Sequence, residues 1–221
     1  MALIVTGYVD GEPVFFESPE PDQYEAAAEI EEKAQYEVEI SAEDEYGNVG
    51  QMHSLYYVAG AWIEPVWQRT KADVEYAAYL NDKIGRSGWN SLTSQEQSAW
   101  AAGLTGCLNY WDLNRIEQDV GYLSDMLNGY GYTQEILCKT DWAMTDFPRV
   151  SEVERIRSNV QTLIDAYCAQ TVALPDTLES PDYQVINDLE NVLRLMQEMI
   201  HRMEESFRRC GPTLCGQGVV L

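Results

Sequence analysis

Basic side chains are what this sequence has least of: 14 Lys and Arg stand against 37 Asp and Glu in 221 residues, a formal charge of −23. That shortage excludes recognition of nucleic acid through its phosphates, which needs Lys and Arg to displace counterions. It also argues against docking on an anionic membrane surface. Residues 1–65 carry 15 acids and a single base, Lys33, whereas the remainder carries 22 acids and 13 bases. No run approaches the roughly 18 apolar residues of a membrane helix. The opening Met-Ala-Leu-Ile-Val-Thr-Gly-Tyr lacks the basic n-region and long apolar core of a signal peptide. The chain is expected to be made in the cytoplasm and to leave it, if at all, by another route such as release inside a particle.

Chemistry-bearing motifs are equally scarce. The five cysteines, Cys107, Cys138, Cys168, Cys210 and Cys215, are irregularly spaced without a C-x-x-C, which reads as reduced, mostly buried thiols; Cys210 and Cys215 are the only close pair. The two histidines, His53 and His201, lie far apart, so no zinc site is expected. There is no G-x-S-x-G, H-E-x-x-H, P-loop or G-x-G-x-x-G. No catalytic residue, cofactor or metal is therefore assigned. What the chain does have is an ordinary 45% of apolar residues and a generous 11% of aromatics, enough to bury a sizeable core and to exclude disorder.

The front half-hundred residues read as strands. Ala2–Val9 is apolar and β-prone, Asp10-Gly11 marks a tight turn, and Pro13-Val14-Phe15-Phe16 completes a hairpin. Tyr24–Glu32 is ambiguous between helix and strand and is taken as strand. In Gln35–Glu43, Tyr36, Val38, Ile40 and Ala42 alternate with Glu37, Glu39, Ser41 and Glu43, which puts the apolar set on one face and the acids in water. After a turn at residues 44–48, Gln51–Val58 returns with Met52, Ser54, Tyr56 and Val58 on one face. Calcium binding by Asp44 and Glu45 is a functional alternative, but the D-x-D-x-D-G spacing is absent and a solvated acidic face is preferred.

Behind residue 65 the period changes to that of helices. Thr70…Asp73, Thr93…Glu96, the looser Asn109…Asp112 and Ser151…Glu154 have the spacing of capping boxes, and Ser180-Pro181 marks a fifth start. Leu113, Ile116, Val120, Leu123 and Leu127 follow 3-4 spacing, as do Val153, Ile156, Val160, Leu163 and Tyr167. The last helix is the most regular, with Ile186, Leu189, Leu193, Met196, Ile200, Met203 and Phe207, widened by Val185, Val192 and Met199. A stripe that wide suits a bundle core better than a two-stranded zipper. From Ser180 to Arg208 it spans on the order of 40 Å. The prediction is an α+β chain: a short β module over residues 1–65, then an antiparallel bundle of about five helices over residues 66–215.

Two stretches carry a resemblance. Tyr36-Glu37-Val38-Glu39-Ile40-Ser41-Ala42-Glu43-Asp44-Glu45-Tyr46-Gly47-Asn48-Val49 resembles the Y-x-V-x-I-x-A-x-D-x-x-G-N signature of bacterial and phage immunoglobulin-like domains. The series Arg69-Thr70, Asp73-Val74, Trp89, Leu92-Thr93, Glu96, Trp100, Gly103, Gly106, Asp112 to Glu117, Tyr122-Leu123, Gly131-Tyr132 and Asp141-Trp142 is similar to a helical module of structural proteins from phages and prophages of Firmicutes. The resemblance covers roughly residues 36–215. It implies an immunoglobulin-like front and a non-enzymatic tail component near the tip or baseplate, residing in the virion. Its partners would be further copies of itself and neighbouring tail proteins. The alternative is a carbohydrate-binding adhesin that meets a host cell-surface glycan.

Candidate residues are weighed on chemistry. Asp112, Arg115, Glu117 and Asp119 form the most enzyme-like cluster, yet Asp112 sits where an acid favours a helix N-terminus, and its i,i+3 pairing with Arg115 reads as a cap and a surface or semi-buried ion pair. His53 and His201 have no evident partner and read as surface or core-edge residues. Trp100 and Trp111 flank the Gly103–Gly106 corner and read as core. Trp62, Trp67 and Trp142 remain as interface or binding candidates, because aromatic rings carry much of the energy where subunits or sugars are bound.

Overall fold

The computed structural model describes residues 3–20, 23–28, 34–167, 174 and 182–210, the side chains of 207–210 excepted. Its architecture is α+β, with antiparallel strands first and five α-helices after them. The strands are β1 (Ile4–Val9), β2 (Glu12–Val14), β3 (Phe16–Glu17), β4 (Glu25–Ala26), β5 (Gln35–Glu43) and β6 (Val49–Tyr57). A four-stranded sheet runs β2-β1-β5-β6, and β3 pairs with β4 in a second, two-stranded one. The hairpin between β1 and β2 turns on Asp10 and Gly11, both with positive φ (51° and 81°), the geometry that Asp-Gly accepts at low cost. Of the ambiguous 24–32 stretch only Glu25 and Ala26 are strand, and residues 29–33 lie outside the described set.

Strand register decides which side chains share a face. Tyr8 lies opposite Glu39, and Glu39 opposite His53. Thr6, Ser41 and Gln51 form the next rung on the same face. Glu37, two residues from Glu39, points the same way. Tyr36, Val38, Ile40 and Ala42 therefore share the opposite face, as the alternation predicts, but all four stay only half-buried. Among the described residues, the buried apolar side chains begin at Ile63; none comes from the strands.

The helices are α1 (Lys71–Ser87), α2 (Ser94–Ala101), α3 (Tyr110–Gly129), α4 (Val150–Tyr167) and α5 (Tyr183–Cys210), with a single 3-10 turn at Trp89–Ser91. Thr70 and Thr93 close capping boxes with Asp73 and Glu96. Ser151 does not act as a cap: α4 begins one residue earlier, and Glu152 folds back to accept from the Arg149 backbone N–H at 2.7 Å. Asp182 takes the N–H groups of Gln184 and Val185 at the start of α5, while Ser180 and Pro181 lie outside the described residues.

The bundle is smaller than five helices. α3, α4 and α5 share one core, built from Ile116, Val120, Leu123, Leu127, Val160, Leu163, Leu193, Met196 and Ile200. α1 and the 3-10 turn pack separately around Ala77, Leu80, Leu92 and Leu104. Trp111 stands at the corner between the two clusters. The space a Cβ on Gly103 (φ 79°) would need is already filled, since that atom would lie 2.2 Å from the indole. The 58–70 connector, where the sequence places its boundary at 65/66, lies against the bundle: Ile63 N–H donates to Asp119 (3.0 Å), Val66 N–H to Glu190 (2.5 Å) and Arg69 N–H to Asn187 (3.1 Å).

Candidate functional site

The residues that looked most like an active site lie on α3. A helix turns 100° per residue, so Asp112, Arg115 and Asp119 follow one stripe and Glu117 lies on another. All four are buried. The stripe of Asp112 and Arg115 faces the connector and α5, where Arg69 and Glu190 complete a tetrad of two cations and two anions. Arg115 grips Glu190 with two bonds (Nε to Oε2 3.1 Å, Nη2 to Oε1 2.9 Å) and reaches Asp112 Oδ1 at 2.6 Å. Arg69 bonds the same two acids, Glu190 Oε1 at 2.8 Å and Asp112 Oδ1 at 3.0 Å. Burial works against the Arg115 charge, but Glu190 and Asp112 outweigh it and hold its pKa above the usual arginine value. Burial also pushes the nearby Tyr57 hydroxyl up to about 12.

This corrects the expected surface or semi-buried pair. Asp112 does both jobs, accepting the Asn109 backbone N–H with Oδ2 (2.8 Å) while Oδ1 takes both arginines. Arg69 and Glu190 were not legible as partners, being 43 and 121 residues from their contacts. One signal was present: Glu190 occupies a core position of the α5 stripe, four residues after Ile186 and three before Leu193.

Asp119, one turn further along, has no cation of its own. Its Oδ1 accepts from Ile63 N–H, and its Oδ2, buried, meets no hydrogen-bond partner. Burial pushes its pKa up to about 8, opposed by the Ile63 N–H and by Arg115.

Glu117 is the hub of the other stripe. Its carboxylate, 1% exposed, takes a bidentate pair from Arg155, the indole N–H of Trp142 (2.9 Å) and the backbone N–H of Lys139 (2.6 Å). Asn114 brackets the Trp142 backbone from both sides (2.8 and 3.0 Å). The 132–149 segment is irregular and is fastened to α3 and α4 by these bonds. Burial, with the Glu117 charge second, pushes the Cys138 thiol beneath it up to about 11. Cys107 and Cys138 are free, half-buried thiols; Cys168 and Cys215 lie outside the described residues, as does the side chain of Cys210.

The three tryptophan candidates separate. Trp142 is 3% exposed with its ring under Lys139 (3.9 Å), so it belongs to the core and offers no open ring to a sugar or a partner. Trp62 is half-buried against Tyr122, and Trp67 lies half-buried beneath Arg194 (4.7 Å); both fasten the connector to the bundle. Trp111 is buried, as expected of a core residue. What the 132–149 segment and the first residue of α4 present outward is aliphatic and aromatic: Leu137, Met144, Phe147 and Val150 are 58–86% exposed.

Of the two histidines, His201 is at the surface as expected, and His53 departs from expectation. His201 is exposed near Glu204 and Glu205. His53, however, is 7% exposed, bonds Glu37 at 2.7 Å and stands edge-on to Trp111. With Glu39 it forms a His-Glu-Glu group of metal-ligand type among the described residues. No described helix is long and apolar enough to cross a membrane. Comparison with protein-family models, curated proteins and solved structures finds no match to any of them.

Proposed function

We propose that this chain is a non-enzymatic structural component of a phage or prophage-derived tail, at the tip or baseplate, where it resides in the virion and works through contacts with copies of itself and with neighbouring tail proteins. Its front would be a reduced immunoglobulin-like module. The observation that carries the reading is the unfinished state of the sheet. Ile4, Phe15, Tyr46 and Tyr56 are 56–86% exposed, and no apolar strand side chain among the described residues is buried. A β layer that leaves so much apolar surface in water gains stability when another surface covers it. The second exposed group, around Phe147, is held on a segment fastened by Glu117, and an ordered patch loses little entropy on binding.

The ionic groups on and around α3 support the same view, since Arg69, Asp112, Arg115 and Glu190 are occupied with one another and Glu117 with Arg155, Trp142 and the Lys139 backbone. Purified protein should form defined multimers, or bind neighbouring tail proteins, and Phe15→Ser with Tyr56→Ser should weaken that assembly without lowering the melting temperature of the bundle. Light scattering after size exclusion, with co-purification, measures both. A chain that stays monomeric, is missing from purified particles and binds glycans through Trp62 would replace this reading with the adhesin.

A further inference from the structure

The sheet face that carries Glu37, Glu39 and His53 has features that the assembly reading does not use. His53 is the only histidine in the strands, and it is buried, with 4% of its side chain exposed against 51% for Glu37. Cross-strand register sets it directly opposite Glu39, with Glu37 two residues away on the same face. The backbone of Glu37 is fixed from outside by the β1–β2 turn: its N–H donates to Asp10 Oδ1 (3.0 Å), and its carbonyl accepts the Asp10 N–H (2.9 Å). One nitrogen or oxygen from each of the three side chains lies within 4.8 Å of the others. The imidazole meets the Glu37 carboxylate through Nε2, while its Nδ1, also buried, has no hydrogen-bond partner.

We infer that Glu37, Glu39 and His53 form a binding site for a divalent transition-metal ion such as Zn²⁺, held between β5 and β6. Donor atoms around Zn²⁺ stand about 3.4 Å apart, given metal–ligand distances near 2.1 Å. The three donor atoms, all within 4.8 Å of one another, would have to draw together by about 1 Å to reach that spacing, which the exposed Glu37 and Glu39 side chains are free to do. The donor set has one borderline nitrogen and two hard oxygens, which favours Zn²⁺, Co²⁺ or Mn²⁺ over Ca²⁺, whose sites are built from oxygen. Two carboxylates beside a neutral imidazole carry a charge of −2, which a divalent ion cancels. The setting offers little competition, since Lys33 is the only base in residues 1–65.

Coordination through Nε2 would take the place of its hydrogen bond to Glu37 and would put the one proton of a neutral ring on Nδ1, on a ring that stands edge-on to Trp111. A cavity of about 200 Å³ lined by Tyr8, Glu39, Ser41, Gln51, His53 and Ala101 adjoins the cluster. It leaves room for water or an outside ligand to fill the remaining coordination positions. The site would staple β5 to β6 in a sheet that has no buried apolar side chains of its own, and it does so whatever assembly the chain joins.

The test is titration of the metal-free full chain with Zn²⁺ by calorimetry and with Co²⁺ by visible absorption. One equivalent should bind, with nitrogen-and-oxygen ligand-field bands for Co²⁺. Glu39→Gln, on an exposed side chain that leaves packing intact, should weaken binding at least tenfold, and His53→Gln should abolish the Co²⁺ bands. Glu43→Gln, on the same strand and face but outside the cluster, should change nothing. The inference is overturned if Zn²⁺ does not bind, if Glu39→Gln and Glu43→Gln weaken binding alike, or if Ca²⁺ binds as tightly as Zn²⁺. Loss of folding in His53→Gln would leave the Glu39→Gln and Glu43→Gln comparison to decide.

Discussion

At Asp119 a single carboxyl group is placed where its anion is poorly served: Oδ1 has one backbone donor, Oδ2 has none, and burial outweighs the pull of Arg115, with Glu190 and Glu64 adding repulsion. In the folded chain it keeps its proton to about pH 8, whereas the unfolded chain gives it up near the ordinary aspartate value of about 4. Between those limits the native state binds more protons than the unfolded state. This group's contribution is therefore fully present below pH ~4 and is lost as the pH rises through ~8. Asp119→Asn keeps an oxygen for Ile63 N–H and removes the titration. The variant should gain on the parent by on the order of 5 kcal/mol between about pH 4 and about pH 8. Denaturant melts across that range measure the difference, and a pH-independent difference would mean that Asp119 titrates like an exposed aspartate.

α3 shows the same logic extended over an element. A 20-residue helix in the middle of a small bundle has three sides to satisfy, and here two of them are partly ionic. The Asp112–Arg115–Arg69–Glu190 tetrad joins helix, connector and α5, and the Glu117 hub ties down the 132–149 segment. Such groups add little net stability compared with a well-packed apolar core, but removing one member leaves the others buried without compensation. Glu190→Gln leaves two guanidinium groups facing one carboxylate. It should cost about 3–5 kcal/mol in thermal or denaturant unfolding, far more than the same change at exposed Glu205. A loss below about 1 kcal/mol, the scale of a surface pair, would mean that water reaches the tetrad. Three of these six ionic residues, Asp112, Arg115 and Glu117, sit on α3, yet only the Asp112–Arg115 spacing reads as a pair. The rest needed the helix crossings that bring Arg69, Glu190 and Arg155 to it.

For the whole molecule, the charge of −23 is spread unevenly and is heaviest on the part with the least buried apolar surface. Self-repulsion of that size destabilises the folded chain and is screened by salt over a Debye length of about 10 Å at 0.1 M. Raising NaCl from about 0.02 to about 0.5 M should therefore raise the melting temperature, because exposed like charges gain more from screening than the buried tetrad loses. Scanning calorimetry checks the sign, and a melting temperature that falls with salt would show that surface pairs such as Lys71–Glu75 dominate.

Sequence alone determined the local elements. Period-two alternation placed β5, and 3-4 spacing with Thr70, Thr93 and Asp112 placed α1, α2 and α3, because these patterns follow from backbone geometry and from the unsatisfied N–H groups at helix starts. It also determined the acidic front and the absence of familiar catalytic motifs. Tertiary structure decided what the polar residues do. It buried Trp142 rather than exposing it, divided five helices into a three-helix core and a smaller cluster, and moved the start of α4 ahead of Ser151. It turned Asp112 and Arg115 from a surface or semi-buried pair into half of a buried tetrad, and it set His53 against Glu37 and Glu39. All of these rest on contacts between residues distant along the chain, and no local spacing records which helix crosses which or which strand lies beside which.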